Sequence, residues 1–285
     1  MSTAEGATYT GDYLVLAAGS RPNYFGTPGA DEHAFALYSL RDAERLRSRI
    51  FELFEDADTR PEVVDRGALN FVIVGGGPTG VETAGALADL IDDVLTARFH
   101  DMDPTRARIV VADLSPTLLG PFSDSVHAYV AEVLEGRGVE LRLETGVAEV
   151  HPDRVVFRDG SELESRCVIW AGGVQAAELE VSKDVERGRG GRIEARPDLT
   201  LEGLPQTYAI GDIANVDDGT GSGRAHPQLG SVALQAGQWA AKNILRDLEG
   251  KPAEDFEYHD KGIMAMIGRN AAVAEVGKHR HELHG

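Results

Sequence analysis

The run Val72-Ile73-Val74-Gly75-Gly76-Gly77-Pro78-Thr79-Gly80-Val81-Glu82 limits the fold more than any other part of the chain. The apolar stretch Leu69–Val74 predicts a buried strand. Val81, Ala84, Ala88, Ile91 and Leu95 then recur at helical spacing and predict a helix from about Pro78. A bare G-x-G-x-x-G is weak evidence, but between a buried strand and a helix it reads as the first turn of a dinucleotide-binding βαβ unit. Gly75 permits the tight turn, Gly77 lets the backbone approach a pyrophosphate, and Gly80 allows the helix to pack closely on its strand. Gly76 and Thr79 complete the candidate cradle. The amides and positive dipole end of the helix would hold the phosphates, and Pro78 suits the first turn because its missing N–H has no intrahelical partner. The plain alternative is a glycine-rich turn with no ligand.

The next strand, Arg108–Asp113, supplies the expected partner. An acid ending the second strand accepts hydrogen bonds from the adenosine ribose, usually about 20 residues beyond the glycines; here the excursion His100–Arg106 lengthens the gap. Leu114-Ser115-Pro116 follows Asp113 with no arginine. A 2′-phosphate would therefore meet repulsion without an adjacent clamp, and NADH is expected over NADPH. Asp113 as an ordinary turn residue is the alternative.

On the amino side, Asp12–Ser20 reads as a short buried strand ending in small residues. Ser39 opens a helix with Asp42 in the capping-box position and Leu46, Ile50 and Leu53 on one face; Thr59–Ala68 reads as a linker. Beyond Asp113, Ser123–Glu135 predicts a helix. Val139–Leu143, Val147–Val150, Arg154–Phe157 and Arg166–Trp170 predict short strands. Tyr208-Ala209-Ile210 is a further strand, and a long helix is expected over Gln228–Leu248. The ending Lys278-His279-Arg280-His281-Glu282-Leu283-His284 lacks H-E-x-x-H spacing, so no metal site is expected and the segment reads as a flexible polar tail.

Composition narrows the function classes. The formal charge is −19, and lysine occurs only at Lys183, Lys242, Lys251, Lys261 and Lys278. Such a surface does not favour nucleic acid or anionic lipid by charge. It matches a protein working in concentrated salt, where at about 1 M the Debye length is near 3 Å and repulsion of anionic NADH vanishes. A halophilic setting is therefore expected. No span is apolar enough for a membrane helix, and the start MSTAEGATYTGD has neither the basic region nor the apolar core of a secretory signal, so a cytoplasmic location is expected. Cys167 is the one cysteine, in the apolar run Cys167-Val168-Ile169-Trp170. A disulfide or dithiol within the chain is excluded, and Cys167 reads as a small buried hydrophobe.

Five segments in order carry a resemblance to a known family: Tyr13–Ser20, Phe71–Leu90 (FVIVGGGPTGVETAGALADL), Ile169-Trp170-Ala171-Gly172-Gly173-Val174, Tyr208-Ala209-Ile210-Gly211-Asp212, and Asp260–Arg269 (DKGIMAMIGR). Together the set closely resembles type II NADH dehydrogenases, non-pumping NADH:quinone oxidoreductases of the flavoprotein superfamily with two dinucleotide-binding domains. The resemblance implies an α/β fold with a Rossmann-like NAD-binding domain inserted in an FAD-binding Rossmann-like domain. It also implies FAD and NADH as cofactors, with hydride transfer from NADH to the flavin and onward transfer to a quinone-like acceptor. Gly211 and Asp212 look like the second flavin motif, where the carboxylate holds the ribityl chain. Ala18 and Gly19 look like the turn joining the two domains, and Gly172 and Gly173 resemble the segment passing the nicotinamide. Glu82 matches an acid near the flavin–nicotinamide junction, although a first-turn acid facing the helix dipole would read the same way. In the family's quinone-side motif of two glutamines four residues apart, Gln235 keeps the second position and Ser231 replaces the first.

The first flavin motif, a glycine-rich βαβ unit, is not among the residues before Asp12, nor does the family's amphipathic, membrane-attaching segment follow Gly277. The expectation is thus an incomplete member: residues 1–69 a partial FAD segment and linker, 70–175 the NADH domain, 176–250 the returning FAD segment, and 251–285 a shortened C-terminal segment. Strands that would pair with the missing unit should present open edges, leaving a homodimer or complementing subunit as partner. Membrane contact would be peripheral, through the missing segment. Sulfide:quinone and disulfide reductases need paired cysteines and are set aside. A ferredoxin- or rubredoxin-reductase-type flavoprotein and a non-enzymatic NADH-binding module stay open.

Overall fold

Strand and helix signals fall close to their expected places in the computed structural model, which describes residues 6–99, 103–180, 185–277 and 279–285. In chain order the principal elements are β1 (Leu14–Leu16), β2 (Ala34–Ala36), α1 (Leu40–Thr59), β3 (Asn70–Val74), α2 (Pro78–Leu90), β4 (Arg108–Ala112), α3 (Asp124–Gly136) and β5 (Val139–Arg142). They continue with β6 (Val147–Val150), β7 (Arg154–Phe157), β8 (Glu162–Glu164), β9 (Cys167–Trp170), β10 (Thr200–Leu201), β11 (Leu204–Ala209), α4 (Gly230–Leu248), β12 (Gly262–Gly268), β13 (Ala271–Val276) and β14 (His281–His284). The chain divides into two compact units: residues 1–21 with 174–259, and residues 22–173 with 260–285.

The second unit is built on a five-stranded sheet in the order β2-β9-β3-β4-β5, with every neighbouring pair parallel. Side chains alternate along a strand, and β3 shows what this does when both faces are covered. Phe71 and Ile73 enter a core with α1, α2 and α3, whereas Val72 and Val74 enter another with Val147, Val155 and Phe157 of the antiparallel sheet β6-β7-β8. Burying a side chain the size of Phe71 contributes roughly 1.5–3 kcal/mol. α1 begins in the expected capping box: Ser39 Oγ accepts from the Asp42 amide at 3.2 Å, and Asp42 Oδ2 accepts from the Ser39 amide at 2.8 Å. Its buried face is Leu46, Ile50, Leu53, Phe54 and Ala57.

The first unit centres on a three-stranded sheet in the order β1-β11-β10, where β1 lies parallel to β11 and β10 antiparallel. α4 lays Val232, Ala236 and Ala240 onto the same core as Tyr208 and Ala209.

Several expectations need correction. The strand expected over Asp12–Ser20 shortens to β1, and at the sheet edge Leu14 and Val15 are 36% and 40% exposed rather than buried. The linker Thr59–Ala68 contains a 3₁₀ turn, Pro61–Arg66, with Val63 buried. The compact units divide at 21/22, 173/174 and 259/260, against expected boundaries at 69/70, 175/176 and 250/251. β2 pairs with β9, which brings residues 22–69 into the second unit, while β12 packs on α2 and brings 260–285 with it. The expected flexible tail includes β14, paired antiparallel with β13 and held by Ser125 Oγ donating to Glu282 Oε2 at 2.7 Å. Met1–Glu5, the His100–Met102 part of the expected excursion, Lys183 and Lys278 lie outside the described residues.

Candidate functional site: the carboxyl edge of the parallel sheet

Sheet order fixes where a ligand can sit. From β3 the chain goes to β4 and β5 on one side, then crosses to β9 on the other, so the switch point lies between β3 and β9. A crevice opens outside the carboxyl ends of strands at such a point. Here it is a cavity of about 280 Å3, whose lining includes Gly75, Asp113, Trp170 and Gly172.

The glycine turn closes one wall. Gly75 has φ +113°, and a Cβ there would lie 2.4 Å from the Ala171 carbonyl oxygen; a Cβ on Gly80 would lie 1.8 Å from the carbonyl oxygen of Gly75. Neither position admits a side chain. Gly77 differs: it is the residue preceding α2, no side chain caps the helix, and a Cβ on it would meet nothing within 4 Å. The first amides of a helix have no intrahelical acceptor, so open space over Gly77 leaves them able to receive an anion. The residues present fit a pyrophosphate. Gly76 has another task, its amide donating to Asp113 Oδ2 at 2.5 Å. Asp113 Oδ1 accepts from the Ser115 amide at 2.6 Å. These bonds fix the carboxylate at the end of β4, and each oxygen retains acceptor capacity for a ribose hydroxyl.

The structure brings Gly75, Gly76, Gly77, Gly80, Asp113, Gly172 and Gly173 together around this edge. Gly173 accepts a hydrogen bond from the Asn23 amide at 3.0 Å. Thr79 and Glu82 instead line a different, mainly apolar cavity of about 350 Å3 between α1 and α2, and Glu82 Oε1 accepts from the Met266 amide of β12 at 3.2 Å.

The remaining candidates lie in the first unit. Asp212, just after β11, accepts from Ser20 Oγ at 2.8 Å, and its carbonyl accepts from Gln228 Nε2 at 2.9 Å. Gly211 adopts φ +69°, with its hypothetical Cβ 3.1 Å from Ala233 Cβ. Gly19, beside Ala18, accepts from the Ala177 amide at 3.1 Å. This set fits the ribityl side of a flavin. Among the described residues of this unit, however, no strand, glycine turn and helix follow one another as they do at Gly75–Gly80. Gln235 is committed on both sides of its amide: Nε2 donates to the His259 carbonyl at 3.0 Å and Oε1 accepts from the His259 amide at 2.9 Å. Ser231 contacts the Tyr258 hydroxyl at 2.9 Å, so the two residues of the expected acceptor-side motif hold the same segment.

Sequence reasoning missed part of the cavity wall. Phe25 lines it, 66% exposed and at φ +52°, a conformation an aromatic residue rarely adopts. Trp170 lines it too, its Nε1 donating to the Asn23 carbonyl at 2.8 Å. Arg158, from the turn after β7, lies far from the glycine motif in sequence. No sequence signal marks these residues as cavity wall: the positive φ of Phe25 is a property of the folded backbone. Cys167 is fully buried in β9, and burial pushes its thiol up to about 12, so it is neither nucleophile nor half of a dithiol. Among the described residues no His, Cys, Asp and Glu cluster fits a metal, and no helix is long and apolar enough to cross a membrane.

A parallel sheet with a glycine-bounded helix at its switch point defines a Rossmann-like dinucleotide-binding protein. The model of the pyridine nucleotide-disulphide oxidoreductase family matches residues 1–237. The type II NADH:quinone oxidoreductase Ndh of Mycobacterium tuberculosis is 35% identical over 286 residues, covering 95% of this chain and 60% of the relative. That of Staphylococcus haemolyticus is 31% identical over 271 residues, covering 94% of this chain and 66% of the relative. The solved structure of NDH2 from Plasmodium falciparum in complex with NADH superposes with a TM-score of 0.88 at 18% identity, covering 100% of this chain and 73% of that one. The chain belongs to the pyridine nucleotide-disulphide oxidoreductase family, and it spans 60% of the length of the Mycobacterium relative.

Proposed function

We propose that this chain carries the NADH site and the ribityl side of the flavin site of an NADH:quinone oxidoreductase. The observation that carries the reading is the open backbone at Gly77, at the uncapped amino end of α2 and two residues beyond Gly75, which lines the switch-point cavity. The name shared by the Mycobacterium and Staphylococcus relatives supports the same substrate pair. The α2 amides would receive the pyrophosphate, and Asp113 would accept from the adenosine ribose. Gly172 and Gly173 would let the nicotinamide pass close to backbone. Asp212, oriented by Ser20, would accept from the flavin ribityl chain, with Gly211, Ala18 and Gly19 shaping the turns around it. When bound, FAD supplies the acceptance of hydride from NADH and the transfer of electrons to the acceptor. The chain's task is alignment and exclusion of water.

Glu82, held by the Met266 amide, and Gln235, held by His259, would each act as a positioning group within its own unit. A quinone is lipid-soluble, so the acceptor step belongs at a membrane surface, with the protein peripheral on the cytoplasmic face. The excess of acid over base supports work in strong salt. The test is calorimetry of NADH binding in molar salt, with absorbance scanned in the flavin bands. A chain that takes up NADH, turns yellow with added FAD and reduces menadione carries the full reading; a folded chain that binds no NADH overturns it. Unfolding as salt is raised would remove the halophilic part.

A second reading rests on the first unit, where no described residues form a glycine-rich pyrophosphate turn. In that case the chain binds NADH as a module and takes flavin only with a complementing partner. NADH binding by a chain that stays colourless with FAD supports it.

A further inference from the structure

Next to Asp113 the cavity wall carries a cation that nothing in the described chain uses. The main chain connects the two positions in two steps. The Asp113 carbonyl accepts from the Thr145 amide at 2.8 Å, and the Gly146 carbonyl accepts from the Arg158 amide at 2.8 Å. Side chains from both ends then meet over bare backbone: a Cβ on Gly146 would lie 2.6 Å from Leu114 Cδ2 and 2.9 Å from Arg158 Cδ and Nε. Leu114, Gly146 and Arg158 all line the cavity that Asp113 lines. The Arg158 guanidinium has no hydrogen bond or ion pair with any described residue. In a chain with 47 acidic and 28 basic residues, an arginine left without a carboxylate at a cavity mouth is set apart from its neighbours. Arg142 and Arg154, on the flanking strands, are both paired to acids.

We propose that Arg158 is a specificity-determining residue of the adenosine subsite: with Leu114 it closes over the adenine, and its charge opposes that of Asp113 at the ribose 2′ position. A guanidinium plane stacks on an aromatic face and also pairs with phosphate oxygens. Asp113 repels a 2′-phosphate and accepts from a 2′-hydroxyl, so the native pair selects the unphosphorylated nucleotide even though a phosphate-binding group stands beside it. Preference for NADH is then the balance of two opposed charges rather than the absence of a clamp. The inference rests on the proposed function, with the Asp113 side of this cavity as the adenosine end of the dinucleotide site.

The experiment titrates ADP-ribose and 2′-phospho-ADP-ribose into the 285-residue chain and its variants, at salt high enough to keep the fold and low enough to leave charge effects visible. Arg158→Ala should weaken ADP-ribose by about two- to fivefold, the range for an exposed cation–π contact. Asp113→Asn keeps the size of the side chain and should raise affinity for the 2′-phosphorylated ligand relative to ADP-ribose by about tenfold or more. Adding Arg158→Ala to Asp113→Asn should reverse that gain, while Arg158→Lys should keep it and still lose the stacking. If wild type binds ADP-ribose, and the gain in Asp113→Asn is the same with and without Arg158, the proposal is overturned and the NADH site stands. Arg158→Ala leaving both ligands unchanged overturns it equally. If wild type binds neither ligand while folded, the NADH site falls, and the proposal with it.

Discussion

β3 and β1 are both short apolar strands that end in small residues at a glycine, yet they meet opposite fates. β3 lies in the interior of its sheet, with Phe71 to Val74 buried between a helical layer and an antiparallel one. β1 is the edge of a three-stranded sheet with Leu14 and Val15 exposed. Parallel strands are stable when both faces are covered, and a turn can hold a ligand only if the strand feeding it is fixed. The second unit therefore builds its nucleotide turn from its own residues. The first unit fixes the Gly211–Asp212 turn with Ser20 and Gln228 but leaves an apolar edge, which is a liability for association. The same strand-then-glycine pattern thus yields a turn on a doubly covered strand after β3 and a turn at an exposed sheet edge after β1.

The sharpest way to break this comparison is to place the same methyl group at two glycines of one turn. Gly80→Ala puts a Cβ 1.8 Å from the Gly75 carbonyl, and neither backbone can retreat. We expect a loss of about 3 kcal/mol or more by guanidinium denaturation, the scale of a severe overpacking. Gly77→Ala meets open space at an ordinary φ of −74°. Its stability should change by only about 1 kcal/mol, the cost of a poorer helix-cap residue, while NADH affinity falls by at least roughly tenfold because the methyl occupies the pyrophosphate approach. Gly77→Ala binding NADH like wild type would show that the anion does not enter there.

A smaller effect sharpens the other half. The first unit completes its core with a polar residue: Asn243, fully buried on α4, donates to the Asp198 and Glu254 carbonyls at 3.2 and 2.9 Å and accepts from the Glu254 amide at 3.0 Å. Asn243→Ala orphans the Asp198 carbonyl and the Glu254 amide, while Trp239 Nε1 still donates to the Glu254 carbonyl at 3.0 Å, and should cost about 2–3 kcal/mol. Thermal melts would report the loss, and amide exchange should accelerate around Glu254. An alanine variant as stable as wild type would mean the core does not depend on this amide.

What could be read in advance follows the range of the interactions involved. The glycine turn, the Ser39–Asp42 cap and the inward face of α2 are set by residues a few positions apart, and these were legible. Long-range closure was not. Gly85 looks like a helix residue of low propensity, yet its Cβ would lie 2.1 Å from the Ile267 carbonyl, so it marks where α2 meets β12. Glu275 carries no sequence signal of its own, yet it is buried and accepts from the Ser123 amide at 2.7 Å, at the start of α3. The site divides the same way. Gly75, Gly77, Gly80 and Asp113 follow from local pattern, whereas Phe25 reaches the cavity from a turn, Trp170 from the end of β9 and Arg158 from the turn after β7, placements that no local spacing encodes. Gln235 shows a further limit: its helical position was visible, but its commitment to His259 was not.

The smallest of the expected effects tests how completely β9, the neighbour of β3, is sealed. Burial raises the Cys167 thiol from its ordinary 9.0 to about 12. The folded chain therefore keeps a proton that the unfolded chain releases above pH 9, so stability from this group is full below that pH and is lost as pH rises toward 12. At pH 10 the loss should be about 1 kcal/mol. Tyr13 and Tyr208 are also raised, by the Asp247 hydrogen bond and by burial respectively, so alkaline loss alone does not identify the thiol. The difference in pH slope between wild type and Cys167→Ala does. Wild type should lose stability more steeply above pH 9, and its thiol should react with a thiol reagent only in denaturant. Equal slopes, or labelling of the native chain at pH near 8.5 at the rate of a free thiol, would mean that β9 opens to solvent. The rigidity assigned to the β3 carboxyl end would then need another source.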